Sequence, residues 1–328
     1  MKNLLITGAT GFVGSHLAEE AIQHGYQVHA TVRRDSGYDH LDHLPISYHK
    51  LSLFDENALS ELIENHNIRW VIHNAGLTKA IKSQDYYSVN AHSTHILTRA
   101  IERAKVENEK FIFMSSLAAQ GPANLPGQWL KTELTEQPVT DYGFSKLKAE
   151  QYVKQIEGLN YIILRPTGVF GPMEKDFLQV VKMINRGLDL YIGKFDQSLS
   201  FIYVKDLARL VITSLESGVS QKTYNVSDGY MYTRFDFSEE VARILKKKAF
   251  RIFLPLWVGK SLASASEWIC RMQQQPSLLN RDKLNEILAP SWACDIADLK
   301  RDFNFVPQYN LASGLIETIS WYQERRWL

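Results

Sequence analysis

The stretch TGATGFVG, Thr7 to Gly14, places three glycines three residues apart. Glycine is the residue that loses most freedom when it is ordered in a helix or strand, so such a cluster needs a local reason. The run before it, NLLITG, is short and apolar and reads as a buried strand. After it, Val13, Leu17 and Ala21 recur every four residues, the pattern of a helix with one apolar face. A helix N-terminus presents unpaired N–H groups and a positive dipole end, which suit a phosphate. A side chain at Gly8 or Gly11 would hold a pyrophosphate away from those groups, and Gly14 lets the helix pack close on the strand. The competing reading is a glycine-rich turn with no ligand. The spacing is G-x-x-G-x-x-G rather than the commoner G-x-G-x-x-G, so the strand–turn–helix context carries the assignment to a dinucleotide. Thr10, Phe12 and Val13 then join the three glycines as cofactor contacts.

The alternation continues. YQVHATV is a second strand with Tyr26, Val28, Ala30 and Val32 on one side, and Gly25 marks the preceding helix stop. YHKLSL is a third strand, and Asp55 caps a helix carrying Leu59, Leu62 and Ile63. WVIHNAG, a long helix through Asn90 to about Arg103, KFIFMSS, a helix from near Asp141 and YIILRPTGVFGP follow in turn. This order predicts an α/β fold, a doubly wound parallel sheet with helices on both faces. Beyond Gly171 the alternation breaks, although SFIYV, KDLARLVITSLE and TYNVSD still read as strand, helix and strand. We expect a dinucleotide-binding domain over 1–170 and 199–229. A smaller, mostly helical substrate domain is expected over 171–198 and 230–328, as a lid on the sheet's C-terminal edge.

Charge excludes some classes. The 328 residues are 45% hydrophobic and 22% charged with a net charge of +1, so neither nucleic acid nor an anionic membrane is an expected partner. Lys246, Lys247 and Lys248 read as a solvated helix end. Two cysteines, Cys270 and Cys294, without metal spacing suit a reduced, cytoplasmic chain. The apolar run Leu4–Leu5–Ile6 is too short for a signal peptide or membrane span. The histidine pairs His40/His43 and His92/His95 lack a third ligand in sequence, so no metal is expected.

The end of the second strand selects the cofactor. NAD binders usually carry an acid there. Here Val32 holds that place, and Arg33 and Arg34 follow. A guanidinium suits a 2′-phosphate through forked, charge-assisted hydrogen bonds, so NADP(H) is expected, with NAD the alternative. Against this stands the reading of two solvated arginines.

YGFSK places Tyr142 and Lys146 four residues apart on one helix face. A phenol near pKa 10 is a poor base at neutral pH. Bringing it to about 7 takes roughly 4 kcal/mol, which one ammonium at about 4 Å provides at an effective dielectric near 20. Lys146 is therefore expected to acidify Tyr142 as proton donor and acceptor. A serine at the end of the fifth strand would hydrogen-bond the same substrate oxygen, and Asn90 would support Lys146 through water. Taken alone, any Tyr-x-x-x-Lys is more simply an ordinary surface pair.

Together these motifs resemble the extended short-chain dehydrogenase/reductases over nearly the whole chain: TGATGFVG, VIHNAG, Asn90, MSSLAAQG, YGFSK, RPTGVFGP and FIYVKDLA stand in the family's order. The resemblance implies that Ser116, five residues before Gly121, is the catalytic serine rather than Ser115. It implies that Ala75, Gly76 and Thr78 line the cofactor, that Pro166 to Val169, including Gly168, border the nicotinamide, and that Ser52 and Leu53 meet adenine. It further implies a homodimer joined by the Asn90 and Tyr142 helices. Nucleotide-sugar members usually carry Asn where this chain has Gly168 and Arg where it has Leu199. VHATVRR, RPTGVFGP and the carboxy-terminal stretch from WACDIADLKRDFNFVP to WYQERRWL look more like the dihydroflavonol reductase and 3β-hydroxysteroid dehydrogenase branch. We therefore expect hydride transfer to a carbonyl, or from a secondary alcohol, of a largely apolar small molecule. A nucleotide-sugar epimerase or dehydratase is the first alternative and a dinucleotide-sensing regulator the second. Phe253, Leu254, Leu256, Trp257 and Trp268 are expected either in the substrate pocket or in the smaller domain's core.

Overall fold

The structure is a computed structural model describing residues 2–33, 37, 39–275, 277 and 280–328. Its centre is a parallel sheet of β1 (Lys2–Thr7), β2 (Tyr26–Val32), β3 (Ile46–Lys50), β4 (Trp70–His73), β5 (Lys110–Met114), β6 (Tyr161–Pro166) and β11 (Lys222–Val226). Between β6 and β11 come β7 (Gly168–Phe170), β8 (Leu188–Ile192), β9 (Ser198–Leu199) and β10 (Phe201–Tyr203), and after β11 come β12 (Tyr232–Thr233), β13 (Phe250–Leu254) and β14 (Ser291–Trp292). The helices are α1 (Phe12–Gln23), α2 (Glu56–Asn65), α3 (Ser83–Tyr86), α4 (Ser93–Arg103), α5 (Asp141–Gln155), α6 (Asp176–Asn185), α7 (Val204–Glu216), α8 (Asp236–Leu245), α9 (Leu256–Met272), α10 (Arg281–Ile287), α11 (Ala297–Phe303) and α12 (Leu311–Glu324). A π-helical turn, Tyr87–His92, joins α3 to α4.

The strand order is β3-β2-β1-β4-β5-β6-β11. The chain winds one way from β1 to β3, then crosses to β4 on the other side of β1. The carboxyl ends of β1 and β4 therefore part, and ligands of open α/β sheets bind at such a switch point. The expected doubly wound sheet is thus present. The segment SFIYV does not join it: β10 pairs with β7 in a separate ribbon, and TYNVSD supplies the edge strand β11 beside β6.

Side chains alternate between the two faces of each strand. Leu4, Ile6, Val28, Ala30, Ile72, Ile112 and Leu164 meet Leu17 of α1 and Leu207 and Val211 of α7. Leu5, Val71, Phe111, Phe113 and Ile163 meet Leu59, Leu97, Ala149 and Val153 of α2, α4 and α5. Burial of each large aliphatic side chain contributes about 1.5–3 kcal/mol, which holds both helical layers on the sheet. The helix starts are fixed locally. Asp55 Oδ1 accepts from Ala58 N at 3.0 Å, and Thr140 Oγ1 accepts from Gly143 N at 3.1 Å. Gly25 takes a positive φ of 78° after α1.

A third core of Phe170, Leu178, Phe201, Tyr203, Phe237 and Leu315 lies among α6, α8 and α12. Residues from the stretch assigned to the second domain also reach the sheet: Ile296, Leu299, Phe303 and Phe305 pack into its first core. Cys270 and Cys294 are free thiols, and no described helix is long and apolar enough to cross a membrane. His29 on β2, His49 on β3 and His66 after α2 each place a ring nitrogen within 4.8 Å of the other two, a grouping the sequence spacing did not suggest.

Candidate active site

A cleft of about 2120 Å³ opens above the carboxyl ends of the sheet, from the β1–α1 turn to the far side of α5. The three glycines at one end have three different reasons. Gly8 has φ +70°, and a Cβ there would lie 2.8 Å from Ala75 backbone atoms. At Gly14 a Cβ would lie 2.0 Å from Gly8 O, so this glycine is demanded by helix–turn packing and does not itself line the cleft. Gly11 lines the cleft, and its Cβ would meet only Gly8 O, at 3.4 Å. The fold tolerates a side chain at Gly11; the cleft is what would lose space. As N-cap, Gly11 supplies no side-chain acceptor, so the first-turn N–H groups of α1 keep their donor capacity beside Thr10, Phe12 and Val13. This cradle fits a dinucleotide pyrophosphate.

The β4 end forms the facing wall. His73 is fully buried between Thr7 Oγ1 at 2.7 Å and Thr94 Oγ1 at 2.9 Å, and burial with the nearby Lys146 charge holds its pKa at about 3. This neutral imidazole fixes the strand ahead of Ala75, Gly76 and Thr78, all of which line the cleft. Asn90 lies behind that loop, not in the cleft. Its Oδ1 accepts from Leu77 N at 2.6 Å, and its Nδ2 donates to Leu77 O at 3.0 Å and Ser145 Oγ at 2.9 Å. Asn90 thus holds the loop and α5 together directly.

At β5 the two serines part. Ser115 Oγ donates to Glu150 Oε1 at 2.5 Å, within a buried network in which Arg165 donates to both Glu150 oxygens at 2.8 and 2.6 Å and to Glu136 at 2.9 Å. Ser116 caps the short turn after β5, with its Oγ accepting from Ala118 N at 3.2 Å, and interacts with the Tyr142 hydroxyl. Tyr142 and Lys146 both line the cleft.

In the free protein the phenol lies above, not below, its ordinary range. Burial pushes Tyr142 up to about 12; Ser116 lowers it, while Glu286 and Tyr86 raise it. Lys146 donates from Nζ to Met114 O at 2.8 Å. Burial brings Lys146 itself down to about 8, partly opposed by Glu150 one turn along α5.

Val32, Arg33, Ser52 and Leu53 line the opposite end of the cleft. Arg33 is exposed and Val32 buried, so no acid stands where NAD binders carry one. Ser52 Oγ accepts from Phe54 N at 3.1 Å. Arg34 lies outside the described residues. Pro166, Thr167, Gly168 and Val169 border the middle of the cleft.

Met173 lies beside Ser15 of α1, and the rest of the lining is mixed: Phe177, Val180, Met183, Leu199 and Trp292 are apolar, while Lys79, Glu174, Asp176, Gln179, Gln197, Lys283 and Arg325 are polar or charged. Phe253, Leu254, Leu256, Trp257 and Trp268 are absent from it. Phe253 and Leu254 are half-buried, Phe253 against the rings of Tyr191 and Phe235, whereas Leu256, Trp257 and Trp268 are exposed on α9 and are neither pocket nor core. Sequence reasoning missed Asp282 and Glu286. They reach the cleft on α10, where both Asp282 oxygens accept from Asp141 N at 3.1 Å. A hundred and forty residues separate them from YGFSK, so no spacing signal could have found them.

Comparison with known proteins fits this geometry. The model of the NAD dependent epimerase/dehydratase family matches residues 4–227. A UDP-glucose 4-epimerase of Vibrio cholerae is 26% identical, over 97% of this chain and 94% of its own. A ceramide reductase of Caulobacter vibrioides is also 26% identical, over 98% and 95%. The crystal structure of a dTDP-glucose 4,6-dehydratase from Bacillus anthracis in complex with NAD superposes with a TM-score of 0.80 at 18% identity, covering 99% and 98%. With two thirds of its length matched and a cradle shaped for a dinucleotide, the chain is an enzyme of the NAD dependent epimerase/dehydratase family.

Proposed function

We propose that the protein is an NADP(H)-dependent oxidoreductase that reduces a carbonyl, or oxidises a secondary alcohol, on a small and largely apolar substrate. The observation that carries this reading is the apolar part of the cleft lining, Phe177, Val180, Met183, Leu199 and Trp292, with Gln179, Gln197 and Glu286 as polar groups beside it. Leu199 and Gly168 stand where nucleotide-sugar members of the family usually carry Arg and Asn. The ceramide reductase among the relatives supports an apolar substrate.

When bound, the nicotinamide supplies or accepts the hydride. Tyr142 is neutral at physiological pH, with a pKa near 12. A neutral phenol is the state needed to donate a proton to the alkoxide that develops on a reduced carbonyl. Ser116 donates a hydrogen bond to the same oxygen. Lys146, cationic below about 8, holds the ribose and favours proton loss from Tyr142 as turnover proceeds. Arg33 takes the 2′-phosphate.

A second reading, a nucleotide-sugar epimerase or dehydratase, is favoured by the cations Arg325 and Lys283 at the rim and by the Vibrio cholerae relative. The two differ in net redox change. With a panel of long-chain ketones the reductase consumes added NADPH at 340 nm. An epimerase shows no net change and is stabilised against heat by UDP-sugars. Stabilisation by a UDP-sugar without NADPH consumption on any ketone would overturn the first reading.

A further inference from the structure

The residues that are neither pocket nor core form one surface. In the parallel pair β8–β13, Leu188 faces Phe250 and Leu190 faces Ile252 in register. Residues two apart on a strand share a face, and these four are 40%, 78%, 40% and 39% exposed in that order. The next pair on this face is Ile192 and Leu254. There a Cβ on Gly259 would lie 2.6 Å from Ile192 Cγ2, so α9 crosses the same face at its end, with Gly259 and Ala263 turned inward. The outward side of α9 carries Leu256, Trp257, Leu262, Trp268, Ile269 and Met272, all exposed. At about 150–250 Å² per aromatic side chain, the exposed fractions of Phe250, Trp257 and Trp268 alone present roughly 300–500 Å². Patches larger than a few hundred Å² on soluble monomers mark interaction sites.

The charges beside this patch identify the partner. Arg186, Lys246, Lys247 and Lys248 are all exposed. The hydrogen bond from Phe250 N to Gly187 O, 2.9 Å, brings the two basic turns together where Leu188 and Phe250 begin. Lys260 is exposed on α9. Of the nearby acids, Asp189 and Glu239 pair with Arg251, which alternates to the opposite face of β13, and Glu240 pairs with Arg243; Glu267, half-buried, is the one acid on α9. Tryptophan and leucine on one side of a surface helix, beside clustered lysines, is the chemistry of an interfacial membrane anchor.

We infer that the β8–β13 face and α9 dock this protein peripherally on an anionic lipid bilayer. Net charge alone argues against a membrane, but attraction acts within a Debye length, and four cations lie at one edge. The docked face continues into the cleft. The chain after α9 carries Ser277 and Asn280, which line the cleft, and Ser277 Oγ lies 2.8 Å from Ser266 Oγ of α9. An apolar substrate could pass from the bilayer to Tyr142 along this edge. The docking itself does not depend on the reaction assigned above.

The test is co-sedimentation of the full chain with vesicles of phosphatidylcholine, with and without phosphatidylglycerol. The protein is expected in the pellet with the anionic vesicles only, and to be released by high salt. Trp257→Ser with Trp268→Ser should lower binding at least tenfold, as should Lys247→Glu with Lys248→Glu. Both double variants should keep the wild-type melting temperature and NADPH affinity, because these residues are exposed and outside the cleft. Absence of wild-type binding to anionic vesicles, or binding unchanged in both variants, would overturn the inference. So would light scattering that shows Trp257→Ser with Trp268→Ser turning a dimer into a monomer, since the patch would then join two copies.

Discussion

Gly11→Ala separates a glycine kept for a ligand from one kept for the fold. The new methyl meets Gly8 O at 3.4 Å, an ordinary contact, and otherwise enters the cleft. Gly11 is not in the positive-φ region, so no backbone strain is added. The melting temperature should therefore stay at the wild-type value. The methyl keeps a pyrophosphate from the first-turn amides of α1. Losing two hydrogen bonds to a charged group, at about 1.5–3 kcal/mol each, amounts to about 3–6 kcal/mol, or roughly 10²–10⁴ in the NADPH dissociation constant. Gly14→Ala is the contrast. Its Cβ falls 2.0 Å from Gly8 O, so the turn must move by about 1.4 Å to restore normal contact. Overpacking of this kind costs about 1–3 kcal/mol, against about 1 kcal/mol gained in helix propensity. Gly14→Ala should lower the melting temperature as well as the affinity. Paired calorimetry and NADPH fluorescence titration read both quantities. Wild-type NADPH affinity in Gly11→Ala would refute the phosphate assignment and leave a glycine turn without a ligand.

Other expectations follow from the same geometry. Lys146 titrates near 8 in the free enzyme, and its charged form exists below that pH; NADPH affinity should fall as pH rises through about 8, and Lys146→Met should flatten the profile in a fluorescence titration. Glu150→Ala leaves the Arg165 guanidinium, 1% exposed, with only Glu136; a broken buried pair costs about 3–5 kcal/mol, measurable by urea denaturation. His29 is buried and held at about 4 by burial and by the neighbouring His66 and His49. Its folded pKa lies below the unfolded value near 6.5, so the unfolded chain binds the proton first. The stability it contributes is complete above about 6.5 and is lost as pH falls toward 4, a loss of about 3 kcal/mol. His29→Gln should show a smaller drop in urea midpoint between neutral and acid pH than the wild type. Arg33→Ala should weaken NADPH more than NADH; an unchanged ratio of dissociation constants would remove Arg33 from cofactor selection.

The sequence by itself determined whatever depends on local order. Period-2 and period-3.6 apolar patterns fix which face of each strand and helix is buried, and so Val28 and Ala30 join Leu17 in one core. The strand–glycine–helix junction was legible for the same reason, and so was the placing of Tyr142 and Lys146 on one helix facing the cleft. Other features arise between segments distant in the chain, and only the tertiary structure decided them. Lys146 is one turn from Tyr142 along α5, yet it also reaches Met114 O of β5, and the phenol is governed by burial, opposed by Ser116, with Glu286 adding to the rise. Asn90 holds Leu77 and Ser145 because a π turn, the β4 loop and α5 meet there. The aromatics of β13 and α9 have the composition of a core, but composition cannot say which side of an element has a neighbour. Burial and electrostatic environment are sums over contacts in three dimensions, and linear spacing carries only the part of those sums that one element contributes.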